Sequence, residues 1–325
     1  MAPEEFRRLA EAVESAVGEV VVGQREAVRG TLICLVAGGH ALLEGVPGLG
    51  KTTLARAFAA VLGLRPGRVQ FTPDLMPADI TGTTVLDQAP DGTARLRFRA
   101  GPVFANVVLA DEINRAAPRT QSALLEAMQE GRVTVGNESH VLPQPFVVLA
   151  TQNPVEMQGT YPLPEAELDR FLLKLNFAFP TREELSAMVT LTADRSDEPV
   201  LAPVVEPDAL LRMSALARAV PVAPVVVDYA TRLVLALHPE LPGATAGARA
   251  HVRLGPSPRG AQALVRAGRV AALMDGRLSL SFEDVRAIAP AALRHRLILG
   301  FDAARAGVDA DALVGEALDA VATEA

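Results

Sequence analysis

The stretch Gly45-Val46-Pro47-Gly48-Leu49-Gly50-Lys51-Thr52 constrains this chain more than any other feature, because of what flanks it. The short apolar run Ala41-Leu42-Leu43 before it reads as a buried strand. After it, Leu54, Phe58, Val61 and Leu62 recur at helical spacing until Gly63 supplies a stop. Glycine lets consecutive backbone N–H groups converge without a Cβ clash, and the helix start adds its positive end. A strand, such a loop and a helix in that order make a cradle for a triphosphate. Lys51 is placed to reach the β- and γ-phosphates and the Thr52 hydroxyl to bind magnesium, with Thr53 beside them. Among the 31 basic residues only Lys51 and Lys174 are lysine, which singles both out.

Two further unbroken apolar runs, Val107 to Ala110 and Phe146 to Ala150, read as parallel strands covered on both faces, with a helix from about Thr120 to Gln129 between them. Strands alternating with helices imply a doubly wound α/β domain whose ligand lies at the carboxyl ends of the strands. Asp111 and Glu112 leave the first run at that end. The first acid suits magnesium, and the second can polarise a water for in-line attack on a γ-phosphorus.

The length of 325 residues fits two domains. Residues 1–180 carry the α/β pattern, after two leading helices that run from Glu4 to Val17 and up to Gly38-Gly39. Two segments read as inserts in it, one near 73–101, containing the alternating stretch Thr93 to Arg99, and one near 132–142, a hairpin around Gly136-Asn137. Residues 181–325 show no strand signals and several helix starts: Thr181 with Glu184, Pro207, Ser257-Pro258, and Ser281 with Asp284. The stretch from Asp194 to Pro207 reads as a loop.

Cys34 is alone among apolar residues, which leaves no disulfide framework and no cysteine-based metal site. His40, His140, His238, His251 and His295 contain no pair at metal-ligand spacing and receive no catalytic role. The acidic N-terminus lacks a signal-peptide pattern and no apolar run reaches spanning length, so the expectation is a cytoplasmic chain without membrane insertion. The formal charge of −7 argues against a surface built mainly for nucleic-acid backbones.

With these motifs in place, the sequence resembles the AAA+ superfamily, and the MoxR family within it, over most of the chain. Val21-Val22-Gly23-Gln24 is similar to the family's adenine-side motif, which nominates Val22, Gly23 and Gln24 beside Gly45 to Thr53 as nucleotide contacts. Asp111 to Ala116 resembles its extended Walker B, and Ala150-Thr151-Gln152-Asn153-Pro154 its sensor 1, nominating Asn153. Leu163 to Phe171 is similar to its arginine-finger segment, which nominates Arg170 for the neighbouring subunit's site. Gly255-Pro256-Ser257-Pro258-Arg259 falls where sensor 2 belongs and nominates Arg259, expected to reach phosphates of its own subunit, although Pro256 departs from the usual small residue. The resemblance implies a P-loop α/β core with a smaller all-helical lid. It implies ATP and Mg2+ as ligands and a homo-oligomeric ring, a hexamer, with the two inserts projecting toward its centre. A partner with a von Willebrand A domain and a client protein of unstated identity complete that expectation.

Two other functions compete. A nucleic-acid motor would use basic or aromatic inward loops, and Arg95, Arg97 and Arg99 offer one basic face, but there is no Trp and the aromatic fraction is 4%. A phosphate-transfer kinase would need an acceptor pocket, for which a helical lid carrying Arg259 is the poorer match.

Overall fold

The computed structural model describes residues 1–88, 94–154, 159–193 and 201–323. Five parallel strands form the central sheet in the order Pro66–Gln70, Val107–Asp111, Val147–Gln152, Ala41–Glu44 and Leu173–Asn176. Side chains along the three inner strands alternate between two cores. Ala41, Leu43, Val107, Leu109, Val147 and Leu149 enter one, while Leu42, Val108, Ala110, Val148 and Ala150 enter the other. That is the period of a pleated strand covered on both faces, and it explains why these runs contain no polar residue. The edge strand Pro66–Gln70 buries only Val69 and breaks the rule, because one of its sides meets water.

The larger core does not stop at the α/β unit. Phe6 and Val13 of the helix Pro3–Gly18 and Leu32 and Leu35 of Arg25–Ala37 share it with Leu210 and Met213 of Pro207–Ala219 and Leu264 and Val270 of Pro258–Met274. Arg266 adds hydrogen bonds of 2.9 and 3.1 Å to the Ala37 and Gly38 carbonyls, where a helix end carries partial negative charge. The C-terminal helices are thus seated on the N-terminal ones.

Helix starts fall where the sequence signals place them. Ser281 and Asp284 form a capping box, Thr181 and Glu184 exchange the same pair of bonds, and Ser257 caps Pro258–Met274 by accepting from the Arg259 N–H at 3.1 Å. One antiparallel ribbon, Val252–Leu254 with Ile298–Leu299, interrupts the helices after Pro180. At three and two residues its strands are too short for an alternation to be read. The loop expected from Asp194 falls partly outside the described residues; 201–206 have no regular structure.

Both inserts are hairpins. After the short helix Pro77–Thr81, Gly82–Gln88 pairs with Ala94–Ala100, and the intervening 89–93 lie outside the described residues. Arg132–Val135 pairs with Glu138–Val141 around left-handed Gly136, φ 61°. The hairpins meet where the Phe98 ring stacks on His140, centroids 3.8 Å apart. No single helix among the described residues is long and apolar enough to cross a membrane.

Candidate functional site

The cleft lies at the carboxyl ends of the inner strands. From the loop that follows Ala41–Glu44 come Pro47, Gly48 and Gly50, then Lys51, Thr52 and Thr53 of the helix Lys51–Val61. Thr151, Gln152 and Asn153 come from the end of the neighbouring strand Val147–Gln152, and Asp111 and Glu112 from the end of Val107–Asp111, the next strand beyond it. Gly48 and Gly50 sit at φ 86° and 89°, and an added Cβ would meet nothing within 4 Å, so backbone conformation rather than space requires glycine there. The turn leaves the first N–H groups of the helix without intrahelical partners and pointed at the cleft. Lys51 Nζ donates to the Gly45 and Val46 carbonyls at 2.6 and 2.9 Å. Partial burial pulls its pKa down, against the opposing pull of Asp111 and Glu112.

Thr151 joins the two carboxylate residues. Its Oγ1 donates to Asp111 Oδ1 at 2.8 Å and accepts the Glu112 N–H at 2.8 Å. Glu112 needs that restraint, because at φ 57°, ψ 49° it is the only non-glycine residue with positive φ among those described. Such a backbone costs on the order of 1–3 kcal/mol and persists only where its surroundings hold it. The carboxylates have further partners from the edge strand and the following turn. Arg68 donates to Asp111 Oδ2 at 2.9 Å, while Arg115 and Gln70 donate to Glu112 Oε2 at 2.8 and 3.1 Å. Thr52 and Asp111 present oxygen ligands from loop and strand end in the same cleft, the donor set that suits magnesium with part of its water shell kept.

Several nominated residues lie outside the cleft lining. Gly45 contributes its carbonyl to Lys51, Leu49 is buried, and Val46 packs on the larger core. Val22 is half-buried, Gln24 is tied to the Ala178 carbonyl at 2.9 Å, and a Cβ on Gly23 would come within 2.7 Å of the Glu184 carboxyl carbon. Lys174, the other retained lysine, makes a 2.8 Å ion pair with Glu44.

Arg170 and Arg259 are not among the residues that line the cleft. Arg170 Nη1 donates to the Leu125 carbonyl at 2.9 Å. Arg259 Nη1 lies 3.6 Å from Asp169 Oδ2, and Ser257 Oγ donates to the same oxygen at 2.7 Å. Arg259 is thus paired with Asp169 and is not among the residues that line this chain's cleft, where the lid motif leads one to expect it. Ser257-Pro258 marks where a helix begins, but the bond to Asp169 decides which way that beginning faces.

Thr151, Gln70 and Arg68 carry no signal that assigns them a role from sequence. Thr151 directly follows an apolar run, yet its bond to Asp111 depends on strand adjacency, and Gln70 and Arg68 belong to the edge strand whose pattern is not apolar.

A glycine-rich phosphate loop, paired acids at the next strand end and a helical lid together define an AAA+ P-loop ATPase. Residues 40–173 match the family described as "ATPase family associated with various cellular activities (AAA)", and residues 245–317 match the AAA lid domain. The chain is similar to Chaperone MoxR1 of Mycobacterium tuberculosis, 41% identical over 307 residues that cover 94% of this chain and 80% of that protein. It is likewise similar to Protein MoxR of Methylorubrum extorquens, 36% identical over 310 residues, 91% and 89% of the two chains. A crystal structure of a Cytophaga hutchinsonii protein assigned as an ATPase superposes with a TM-score of 0.89 at 35% identity, covering 98% of this chain and 96% of that one. The chain belongs to the MoxR family of AAA+ ATPases.

Proposed function

We propose that this protein hydrolyses ATP to ADP and phosphate as a homo-oligomeric ring, a hexamer, and uses the cycle to remodel or mature partner protein complexes in the cytoplasm. The observation that carries the ring is a separation of parts. The cleft contains a lysine, three threonine hydroxyls, two carboxylates and two side-chain amides; the arginines beside it, Arg68 and Arg115, are bonded to Asp111 and Glu112, and Arg170 is held on another part of the chain. A guanidinium suits the charge spread over transferring phosphoryl oxygens, so the missing group comes from a neighbour.

In this reading residues 1–180 bind the nucleotide, with Val22, Gly23 and Gln24 on its adenine side, and residues 181–325 form the lid. Lys51 exchanges its loop carbonyls for phosphate oxygens. Thr52 and Asp111 hold magnesium, whose charge, when bound, offsets that of the β- and γ-phosphates. Glu112 takes the proton of the attacking water as its oxygen bonds to the γ-phosphorus and the bond to ADP breaks. Asn153 orients that water.

The client is a protein, and a partner carrying a von Willebrand A domain works with the ring, in keeping with the chaperone named among the relatives. On the first hairpin Leu86 and Leu96 pair directly across the ladder and are 69% and 75% exposed, an apolar surface suited to protein. The other face of that hairpin carries Arg95, Arg97 and Arg99, so single-stranded DNA binding at physiological salt is the measurement that would revive a nucleic-acid motor.

Mixing Lys51→Ala and Arg170→Ala subunits tests the assignment. Some interfaces then pair an intact loop with an intact arginine, and activity should exceed that of either variant alone. No recovery in a mixture that co-assembles, with Arg170→Ala alone fully active, would overturn it.

A further inference from the structure

We propose that Asp169 is a positioning residue through which the lid of one subunit sets Arg170, and hence the rate at its neighbour's site. The inference rests on the reading of Arg170 as the arginine that completes that site. Arg170 lies between two residues that the lid holds, Asp169 and Phe171. Arg296, which follows the helix Phe282–Leu293, donates Nε to Asp169 Oδ1 at 2.8 Å and Nη2 to the Asp169 and Phe171 carbonyls at 3.2 and 2.7 Å. Its Nη1 approaches the Leu172 carbonyl at 3.3 Å. One guanidinium, with its side chain only 3% exposed, thus holds the backbone on both sides of Arg170.

The second carboxylate oxygen of Asp169 takes Ser257 Oγ and faces Arg259, both at the start of the helix Pro258–Met274. Asp169 is therefore the point where two separate lid elements meet the segment that carries Arg170. A rigid rotation of the lid must either move that segment or break these bonds. The Arg170 side chain is lightly held by comparison: one bond to the Leu125 carbonyl, and a buried Nε without a hydrogen-bond partner. Its backbone is fixed by the lid, while its half-buried guanidinium makes a single hydrogen bond among the described residues. That arrangement suits a group that must reach across an interface at an angle the lid determines.

A domain staple with no role in catalysis would use the same contacts, and subunit mixing separates the two. The reference is Lys51→Ala subunits, which supply the arginine, mixed with Arg170→Ala subunits, which supply the pocket. In the first arm Asp169→Asn is added to the arginine-supplying subunit, and kcat should fall about ten- to a hundredfold with KM held within about twofold, as misplacement of a reacting group demands. In the second arm Asp169→Asn is added to the pocket-supplying subunit, and the rate should match the reference. Equal losses in both arms, or no loss in the first, would overturn the proposal. A reference mixture without recovery would instead overturn the role of Arg170 itself. If Asp169→Asn subunits do not fold, Ser257→Gly takes their place in both arms, since glycine keeps a helix start to within a few tenths of a kcal/mol. Its smaller loss must show the same one-sided pattern.

Discussion

The cleft and the arginine cluster are built in opposite ways. The cleft is assembled from three short contiguous stretches, 47–53, 111–112 and 151–153, each leaving the carboxyl end of an adjacent parallel strand. The arginine cluster joins Asp169 to Ser257, Arg259 and Arg296, groups far apart along the chain that meet only because the lid is seated where it is. In the first region the fold aims side chains that a local motif already specifies. In the second, a carboxylate with no motif role of its own gathers arginines that could have faced elsewhere. A self-contained binding pocket and a movable group for export to a neighbour call for just these two constructions.

If the cleft is complete for binding within one chain, Lys51→Ala should abolish association with a fluorescent ATP analogue. Glu112→Gln should keep that association and lose about 10²–10⁴-fold in turnover, because only the water-polarising carboxylate is removed. Equal loss of binding in both variants would break the comparison at its first term.

A smaller effect is expected at Thr151, which shapes the carboxylates without contacting phosphate. Thr151→Val removes the hydroxyl that joins Asp111 to the strained Glu112 backbone, and should raise the magnesium concentration needed for half-maximal ATPase roughly 10–100-fold, the range for groups behind a metal ligand. Thr151→Ser should restore most of it. A magnesium titration identical to the parent's would show that strand geometry alone holds Asp111.

The smallest effect concerns what lies beneath each region. His40 supports the cleft strands, accepting the Val148 N–H at 3.0 Å and facing the Met128 carbonyl at 3.1 Å, and His295 lies against the Phe171 carbonyl at 3.0 Å beside Arg296. Burial lowers His40 to about 4 and pushes His295 well below the imidazole range. An imidazole lowered by folding contributes stability that is whole above its unfolded pKa of about 6.5 and is lost as pH falls toward the folded value. Between pH 7 and pH 5 His40 alone should therefore cost about 2 kcal/mol of unfolding free energy. Urea titrations at the two pH values measure it, and His40→Gln should show a shallower fall. An unchanged slope would mean that the strands open enough to admit the proton.

The uneven legibility of the fold has the same origin as the comparison. Val107 to Ala110 and Phe146 to Ala150 announce themselves because a strand buried on both faces admits no polar side chain. Pro66–Gln70 does not, since an edge strand buries so little, and with it Gln70 and Arg68 escape notice although they hold Glu112 and Asp111. The ribbon of Val252–Leu254 and Ile298–Leu299 is missed for want of length.

By itself the sequence determined the phosphate loop, the paired acids and the helix starts of the lid, because each is specified within a few residues by backbone conformation, strand-end placement or capping chemistry, whereas Asn153 is nominated through resemblance to the family's sensor 1. Only the tertiary structure decided that Thr151 joins Asp111 to Glu112, that Arg259 pairs with Asp169, and that Arg296 grips the chain around Arg170. Those contacts depend on which strands lie side by side and on how the C-terminal helices pack against Pro3–Gly18 and Arg25–Ala37, and packing of distant apolar faces leaves no mark in the residues immediately around a polar group.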